Sequence, residues 1–218
     1  ISAAMTGSPD IYWYARADKN IKSIKDAADK TMGYSAAGSS SHLIALSLLD
    51  QAKVKGKPTA TGGIPSTYTQ VMSGQIDLGW AVPPFGVEDL KAGKINIVAK
   101  GNDLEEIRDT TVRVNFANAE SLKTKRALFV KFSEAYIKSL DWSYANDKAI
   151  DYFAQSAEVP RPVALESRDS FYPKEAMQPY DVRGLKVSLQ QAVDFKFIPK
   201  PMDEKEIAGL FDILVQQK

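Results

Sequence analysis

The sequence contains no cysteine and only one histidine, His42. Without cysteine there are no disulfides, no thiol catalysis and no cysteine-based metal site, and a single histidine cannot supply the ligands of an ordinary zinc centre. The acidic residues also show no calcium-loop spacing. We therefore expect neither a metal nor a cofactor, while the compartment stays open, because disulfide-free proteins occur in both cytosol and periplasm.

An excess of charge of either sign is also missing. The 218 residues include 28 Lys and Arg against 27 Asp and Glu, which leaves a net charge of +1. Such a protein has no basic surface to displace counterions from nucleic acid. No stretch approaches the roughly 20 apolar residues of a membrane span. We expect a globular protein of one or two domains, with no nucleic-acid partner and no direct membrane insertion.

The most informative segment is a predicted strand at Thr31–Ser35, which leads through a glycine and serine turn into an apolar helix ending near Lys53. A helix start has backbone N–H groups without partners and the positive end of the macrodipole, so it suits an oxyanion. The turn offers four candidate ligand contacts: Ser39, Ser40, Ser41 and His42. Serine also commonly caps helices, so this segment alone leaves capping and ligand binding open.

Strands and helices alternate beyond this segment, and the aromatic run at Asp10–Arg16 precedes it as a further buried strand. The predicted elements are a short helix at Ser23–Asp29, strands at Thr59–Thr61, Ile76–Trp80 and Ile95–Ala99, and helices at Thr67–Ser73 and Gly86–Lys91. This alternation predicts an α/β fold with a mainly parallel sheet. Ligands of such sheets bind at the carboxyl ends of the strands.

The turns after the next two strands add further candidate contacts. Gly63, Ile64 and Pro65 lie in the turn that leads into the next helix, and aromatic or proline residues lie at or beside the turns, namely Tyr34, Tyr68, Trp80, Pro83 and Phe85. The turns contain no acidic residue, which argues against a cationic ligand. Apolar walls with a few aimed polar groups are typical of a small-molecule site. The sequence favours an organic anion with an apolar or aromatic tail, although ordinary core roles stay open for the aromatic residues and for His42.

The remainder of the chain is rich in predicted helices and poor in strands. An alternating strand at Thr110–Phe116 is followed by a periodic helix with an apolar stripe of Phe129, Phe132, Tyr136 and Leu140. Further helical patterns lie at Lys148–Gln155, Ala164–Asp169, Leu185–Phe195 and Glu204–Gln216. One or two strands cannot cover so many apolar helix faces, so we expect strands of this region to be missing from the sequence.

Four stretches together resemble the periplasmic solute-binding proteins of ABC transporters for sulfonate, nitrate and taurine, including their thiamin-precursor relatives. They are Arg16–Ala28, the GYSAAGSSSH turn at Gly33–His42, the block Gly62–Phe85 and the helix Phe129–Trp142. The resemblance implies two α/β lobes of the type II binding-protein fold, joined by two crossover strands with the ligand between them. It implies a split lobe of residues 1–15 and 110–218, a continuous ligand-binding lobe of residues 16–109, and crossovers at Tyr12–Ala15 and Thr110–Val114.

The same resemblance implies a function and partners. The protein would be a periplasmic or lipid-anchored extracellular monomer that delivers a small anion to a membrane permease. Arg113, on the second crossover, is a candidate to close onto the anion, with a surface ion pair as the alternative. The family has an N-terminal segment before this point, and the sequence opens with neither an initiator methionine nor a leader. We therefore expect that the first strands of the split lobe are absent from it.

Three other functions can be weighed. A serine hydrolase is disfavoured, because His42 follows Ser41 directly and no G-x-S-x-G elbow is present. A pyrimidine-binding receptor or a biosynthetic enzyme of the same family stays open as the alternative, although the turns lack the acid that a pyrimidine would need. A partner-binding domain without a small ligand would instead expose a large apolar patch.

Overall fold

The computed structural model describes residues 1–216, which form two compact units. The continuous unit comprises Ser8–Arg108, and the split unit combines Ile1–Gly7 with the chain from Asp109 onward. The continuous unit therefore begins at Ser8 and not at Arg16 as expected. The reason is that the aromatic run forms a central strand of its sheet and is not a connection outside it.

The continuous unit is built on one five-stranded sheet. Its strands are β2 (Tyr12–Arg16), β3 (Thr31–Tyr34), β4 (Lys57–Ala60), β5 (Leu78–Ala81) and β6 (Ile95–Lys100); β1 belongs to the split unit. Their order is β4-β3-β5-β2-β6. β3 runs parallel to β4 and to β5, whereas β2 is antiparallel to β5 and β6. Four strands therefore share one direction, as the predicted, mainly parallel sheet requires, and β2 alone opposes them.

Helices connect these strands or follow the last of them. They are α1 (Ser40–Gln51), α2 (Ile64–Met72), α3 (Val87–Lys91) and α4 (Glu105–Arg108), together with 3-10 turns at Ile24–Ala27 and Gly101–Asp103. α2 begins three residues before the predicted Thr67, because Gly63 is an extended N-cap and Pro65 fits the first helical turn. The predicted helix at Ser23–Asp29 is only a 3-10 turn.

The core of the continuous unit is centred on the aromatic strand. Residues 11 to 15 are at most 1% exposed, and α1 packs on β3 and β4 while α2 packs on β5 and β2. Of the twelve largest fully buried side chains among the described residues, only Ile150 lies in the split unit. The hydrophobic burial that stabilises the fold is therefore concentrated in the continuous unit.

The split unit has one antiparallel pair of strands, β1 (Ser2–Thr6) and β7 (Thr111–Asn115), within the described residues. Its helices are α5 (Ala119–Thr124), α6 (Arg126–Ala145), α7 (Lys148–Ala157), α8 (Arg161–Phe171), α9 (Leu185–Asp194) and α10 (Glu204–Gly209). β1 was not predicted, because its sequence SAAMT has small residues and no polar alternation. α10 ends at Gly209, well before the predicted Gln216.

The predicted apolar stripe of α6 is wrong at one position. Phe132 is 53% exposed, and the buried residue of this helix is its neighbour Ser133. All seven large hydrophobic residues that are exposed in the described part of the chain lie in the split unit: Val114, Phe116, Leu128, Phe132, Trp142, Tyr152 and Leu210. Two strands leave much of the apolar surface of these helices uncovered.

Candidate functional site

Three turns of the continuous unit lie together at the carboxyl ends of the strands, because they follow the adjacent parallel strands β4, β3 and β5. The backbone N–H of Gly62 donates to the carbonyl of Ser35 over 3.1 Å, which ties the turn before α2 to the turn before α1. The third turn joins them through Phe85, whose ring lies edge-on to that of Tyr68 in α2 at 5.4 Å. The sequence-predicted residues of these turns therefore belong to one cluster.

The three serines at the start of α1 have different environments. Ser39 is the N-cap and accepts the backbone N–H of His42 at 3.2 Å. The hydroxyl of Ser41 is buried, where it accepts the N–H of Ser35 at 3.0 Å and bonds the hydroxyls of Ser35 and Ser39. Ser40 is exposed, and its hydroxyl makes no hydrogen bond within the described residues.

The helix start itself supplies the open donors. The backbone N–H groups of Ser40 and Ser41 are in the first turn of α1, and neither has an acceptor among residues 1–216. These N–H groups carry the positive end of the helix dipole. Ser40 thus combines a free hydroxyl and a free amide, whereas Ser41 offers its amide and uses its hydroxyl to hold the turn together.

His42 lies against Tyr34 at this helix start. Their rings are stacked, with centroids 4.0 Å apart and planes inclined by 18°. The Nδ1 atom of His42 accepts the N–H of Gly38 at 3.2 Å, and burial lowers the pKa of the imidazole. A neutral His42 with this bond has its proton on Nε2, so that nitrogen is a hydrogen-bond donor.

The second turn also leads from a strand into a helix start, but glycine takes the place of serine as the N-cap. Gly62 has a positive φ of 77°, and the extended Gly63 is the N-cap of α2 without a side-chain bond. Thr61 and Thr67 share a buried hydroxyl–hydroxyl bond of 2.7 Å beneath the turn. Ile64 is half-buried and Pro65 exposed. The N–H groups of Ile64 and Ser66 have no acceptor among the described residues, which gives α2 open donors of its own.

The third turn carries the predicted apolar side chains. Phe85 and Trp80 are half-buried, whereas Pro83 is buried and joins Pro84 through a cis peptide bond. The indole N–H of Trp80 finds no acceptor in the described part of the chain. Burial, followed by the neighbouring carboxylate of Asp89, raises the pKa of Tyr68.

Arg113 is in β7 of the split unit, where its guanidinium is half-buried and donates to the sulfur of Met5 at 2.8 Å. Its predicted contact with an anion stays a prediction. Sequence reasoning did not single out Ser35, Thr61 or Thr67. Only the strand-turn-helix register could have indicated them, because their bonds stay inside the turns.

The electrostatics of the cluster favour negative charge. No Asp or Glu lies in residues 35–42, 61–68 or 79–86. The nearby carboxylate of Asp77 accepts the N–H and hydroxyl of Thr31, and that of Asp89 lies 3.1 Å from the amine of Lys94. Among residues 1–216, no group of His, Asp or Glu is arranged to hold a metal ion, and no helix has the length and apolarity to cross a membrane.

A separate cavity of 320 Å³ lies within the split unit among α6, α7 and α8. Its polar groups are satisfied locally: the hydroxyl of Tyr144 donates to the carbonyl of Tyr172, and Arg168 pairs with Asp169. None of the predicted site residues lines it. The candidate site is therefore the turn cluster and not this cavity.

The sequence model of the family described as NMT1/THI5 like matches residues 3–150 of the chain. No curated protein sequence matches the chain significantly.

Several solved structures share the fold. The periplasmic aliphatic sulphonate binding protein SsuA from Escherichia coli has a TM-score of 0.72 at 17% identity, over 94% of this chain and 70% of that protein. The alkanesulfonate-binding protein SsuA from Xanthomonas axonopodis pv. citri, bound to MOPS, has a TM-score of 0.74 at 15% identity, over 96% and 72% of the two chains.

A Candida albicans protein described as having the generic periplasmic binding protein fold has a TM-score of 0.69 at 11% identity, over 100% of this chain and 73% of that protein. At sequence identities this low, the likeness shows a shared fold and nothing further. The chain thus has the periplasmic-binding-protein fold, as the sequence predicted.

Proposed function

Because the chain belongs to the NMT1/THI5-like family, we propose that it is a solute-binding protein that captures a small organic anion at the turn cluster and performs no chemistry on it. The anion is a sulfonate or carboxylate with an apolar or aromatic tail. The protein delivers it to the membrane permease of an ABC importer and works outside the cytoplasm.

The observation that carries the proposal is the pairing of two helix starts. The Gly62 to Ser35 hydrogen bond joins the turn before α1 to the turn before α2, and the first turns of both helices have backbone N–H groups without acceptors among the described residues. Two dipole ends and several fixed donors at one place stabilise an anionic head group. Because the donors are fixed before the ligand arrives, little ordering is needed on binding.

The charge and shape of the cluster support the ligand class. No carboxylate lies in the three turns to repel an anion or to hold a cation. Trp80 and Phe85 are half-buried beside the helix starts, so they provide apolar surface for an organic tail. An alkyl or aryl sulfonate combines these two requirements in one molecule.

The transport role is supported by the comparisons at the level of fold. Two similar structures are described as a periplasmic aliphatic sulphonate binding protein and an alkanesulfonate-binding protein. The turns also lack a base placed beside a serine nucleophile: Nδ1 of the single histidine accepts from Gly38. A thiamin-precursor role is not favoured, because the three turns hold no acid to pair with a pyrimidine.

The test is a thermal-shift and calorimetric screen of the 218-residue protein with methanesulfonate, 1-octanesulfonate, benzoate, 4-aminopyrimidine and spermidine. A ligand at 100 times its dissociation constant stabilises the folded state by about 2.7 kcal/mol. We expect octanesulfonate to raise the melting temperature and to be recovered unchanged. Stabilisation by aminopyrimidine or spermidine alone, or conversion of the bound sulfonate, would contradict the proposal.

A further inference from the structure

We infer that Tyr12 is a positioning residue for the site proposed above, because its hydroxyl fixes the turn that carries Phe85. The inference rests on the proposed function for its consequence in binding. It assigns a role to a buried residue of the aromatic strand that neither the motifs nor the comparisons single out.

The contact is direct and short. Tyr12 is the first residue of β2 and is fully buried, and its hydroxyl donates to the carbonyl of Phe85 over 2.6 Å. Tyr12 pairs with Ala81, the last residue of β5, so its side chain reaches beyond the end of β5 to the following turn. A buried hydrogen bond from an internal strand of the sheet thus holds the turn between β5 and α3, which has no strand pairing of its own.

The turn is shaped around this hydroxyl. Gly86 has a positive φ of 80°, and a Cβ atom there would lie 2.4 Å from the hydroxyl oxygen of Tyr12. A side chain at position 86 would therefore collide with the group that holds Phe85. Both the left-handed backbone and the lack of space require glycine at this point.

The ring of Phe85 is fixed from the other side. It lies edge-on to the ring of Tyr68 in α2, with the ring centroids 5.4 Å apart. The backbone of Phe85 is thus held by β2 and its ring by α2, while the ring stays half-buried and available to a ligand tail. Without the hydrogen bond from Tyr12, the backbone of Phe85 is less restrained and its ring occupies a wider range of positions.

Tyr14 provides a matched control. It lies two residues later on the same face of β2 and is equally buried, and its ring centroid is 6.1 Å from that of Tyr12. Its hydroxyl has no hydrogen-bond partner within the described residues. Tyr14→Phe therefore removes one buried hydroxyl without breaking a bond to a turn.

The experiment compares Tyr12→Phe, Tyr14→Phe and the wild type by hydrogen exchange without ligand and by titration with octanesulfonate and methanesulfonate. In Tyr12→Phe we expect exchange at residues 85–90 to accelerate by about fivefold, as for a lost hydrogen bond. Octanesulfonate affinity should fall by about the same factor, while methanesulfonate, which has no tail to meet Phe85, stays within about twofold. Tyr14→Phe should match the wild type in each measurement.

The outcomes separate the two claims. Unchanged exchange at residues 85–90 in Tyr12→Phe, or equal losses for both sulfonates, overturns the positioning role. If the wild type binds neither sulfonate, the proposed function is overturned, whatever the exchange measurement gives. Accelerated exchange that is confined to residues 85–90 in Tyr12→Phe shows that a general loss of stability does not cause the difference.

Discussion

At the scale of single residues, the three serines at the start of α1 have different roles. Ser41 points inward and holds the turn through Ser35 and Ser39, whereas Ser40 is exposed and has no partner among the described residues. The run reads as one motif in the sequence, and only the structure separates a stabilising hydroxyl from an available one.

Two alanine substitutions should therefore have different effects, one on stability and one on ligand affinity. Ser41→Ala leaves the N–H of Ser35 without its acceptor, so the free energy of unfolding should fall by about 1 to 3 kcal/mol. Ser40→Ala should leave stability unchanged and lower octanesulfonate affinity by about tenfold, since a hydrogen bond to a charged group is lost. Urea unfolding and calorimetry measure the two quantities. Equal affinity of Ser40→Ala and wild type would exclude Ser40 as a ligand contact.

His42 predicts a pH dependence of stability. Burial lowers its pKa below the ordinary 6.5, so the unfolded chain takes up this proton at a higher pH than the folded protein. Stability is therefore full above pH 6.5 and is lost as the pH falls below it. In His42→Gln this component is absent, so the drop in melting temperature between pH 7.5 and pH 5.5 should be smaller than in the wild type. An identical drop in both proteins would refute this.

At the scale of elements, the site depends on how one strand passes into the next helix. Gly62 makes this passage between β4 and α2 with a φ of 77°, and its N–H holds the turn of α1. A side chain on a left-handed residue costs roughly 1 to 2 kcal/mol. The geometry of the two helix starts should therefore respond to a change at this single glycine.

The prediction is that Gly62→Ala lowers both stability and octanesulfonate affinity. Gly74 offers the control, since it follows α2 with a φ of 79°, has open space around it and lies outside the turns. Gly74→Ala should lose a similar amount of stability and keep its affinity. If the two variants lose affinity equally, general destabilisation and not the turn explains the effect.

Much of the continuous unit follows from local sequence. The strand at Thr31, the serine cap and the strand-helix alternation were predictable, because they depend on neighbouring residues. The predicted start of α2 at Thr67 is three residues late, because Pro65 is favourable in the first turn of a helix. β1 was missed because its pairing with β7 joins residues more than 100 positions apart.

The candidate site was predictable to a similar extent. Open N–H groups at helix starts are a local property, so Ser40 and the second turn could be named from the sequence. The hydrogen bond from Tyr12 to Phe85 spans 73 residues and depends on the sheet order. The uninterrupted aromatic run at Asp10–Arg16 predicted burial correctly and gave no sign of this role.

At the scale of the whole molecule, burial is uneven between the two units. Eleven of the twelve largest fully buried side chains belong to the continuous unit, and the exposed large hydrophobic residues all lie in the split unit. Regions with few buried apolar contacts open locally at lower free energy. The split unit should therefore be the less stable of the two.

Hydrogen exchange of the intact protein checks this expectation. The slowest amides should lie in β2, β3 and β5, and those of α6 and α9 should exchange faster at every pH used. Octanesulfonate should slow exchange around residues 39–43 and 62–66. If the slowest amides lay in α6, the expectation that the split unit is the less stable one would be wrong.

The most direct test of the central claim is calorimetric titration of the 218-residue protein with 1-octanesulfonate. We predict saturable binding of one molecule per chain, lost or strongly weakened in Gly62→Ala, kept in Gly74→Ala, and with the sulfonate recovered intact. Absence of binding by the wild type, or binding that Gly62→Ala leaves unchanged, would contradict the assignment of the paired helix starts as an anion-capturing site.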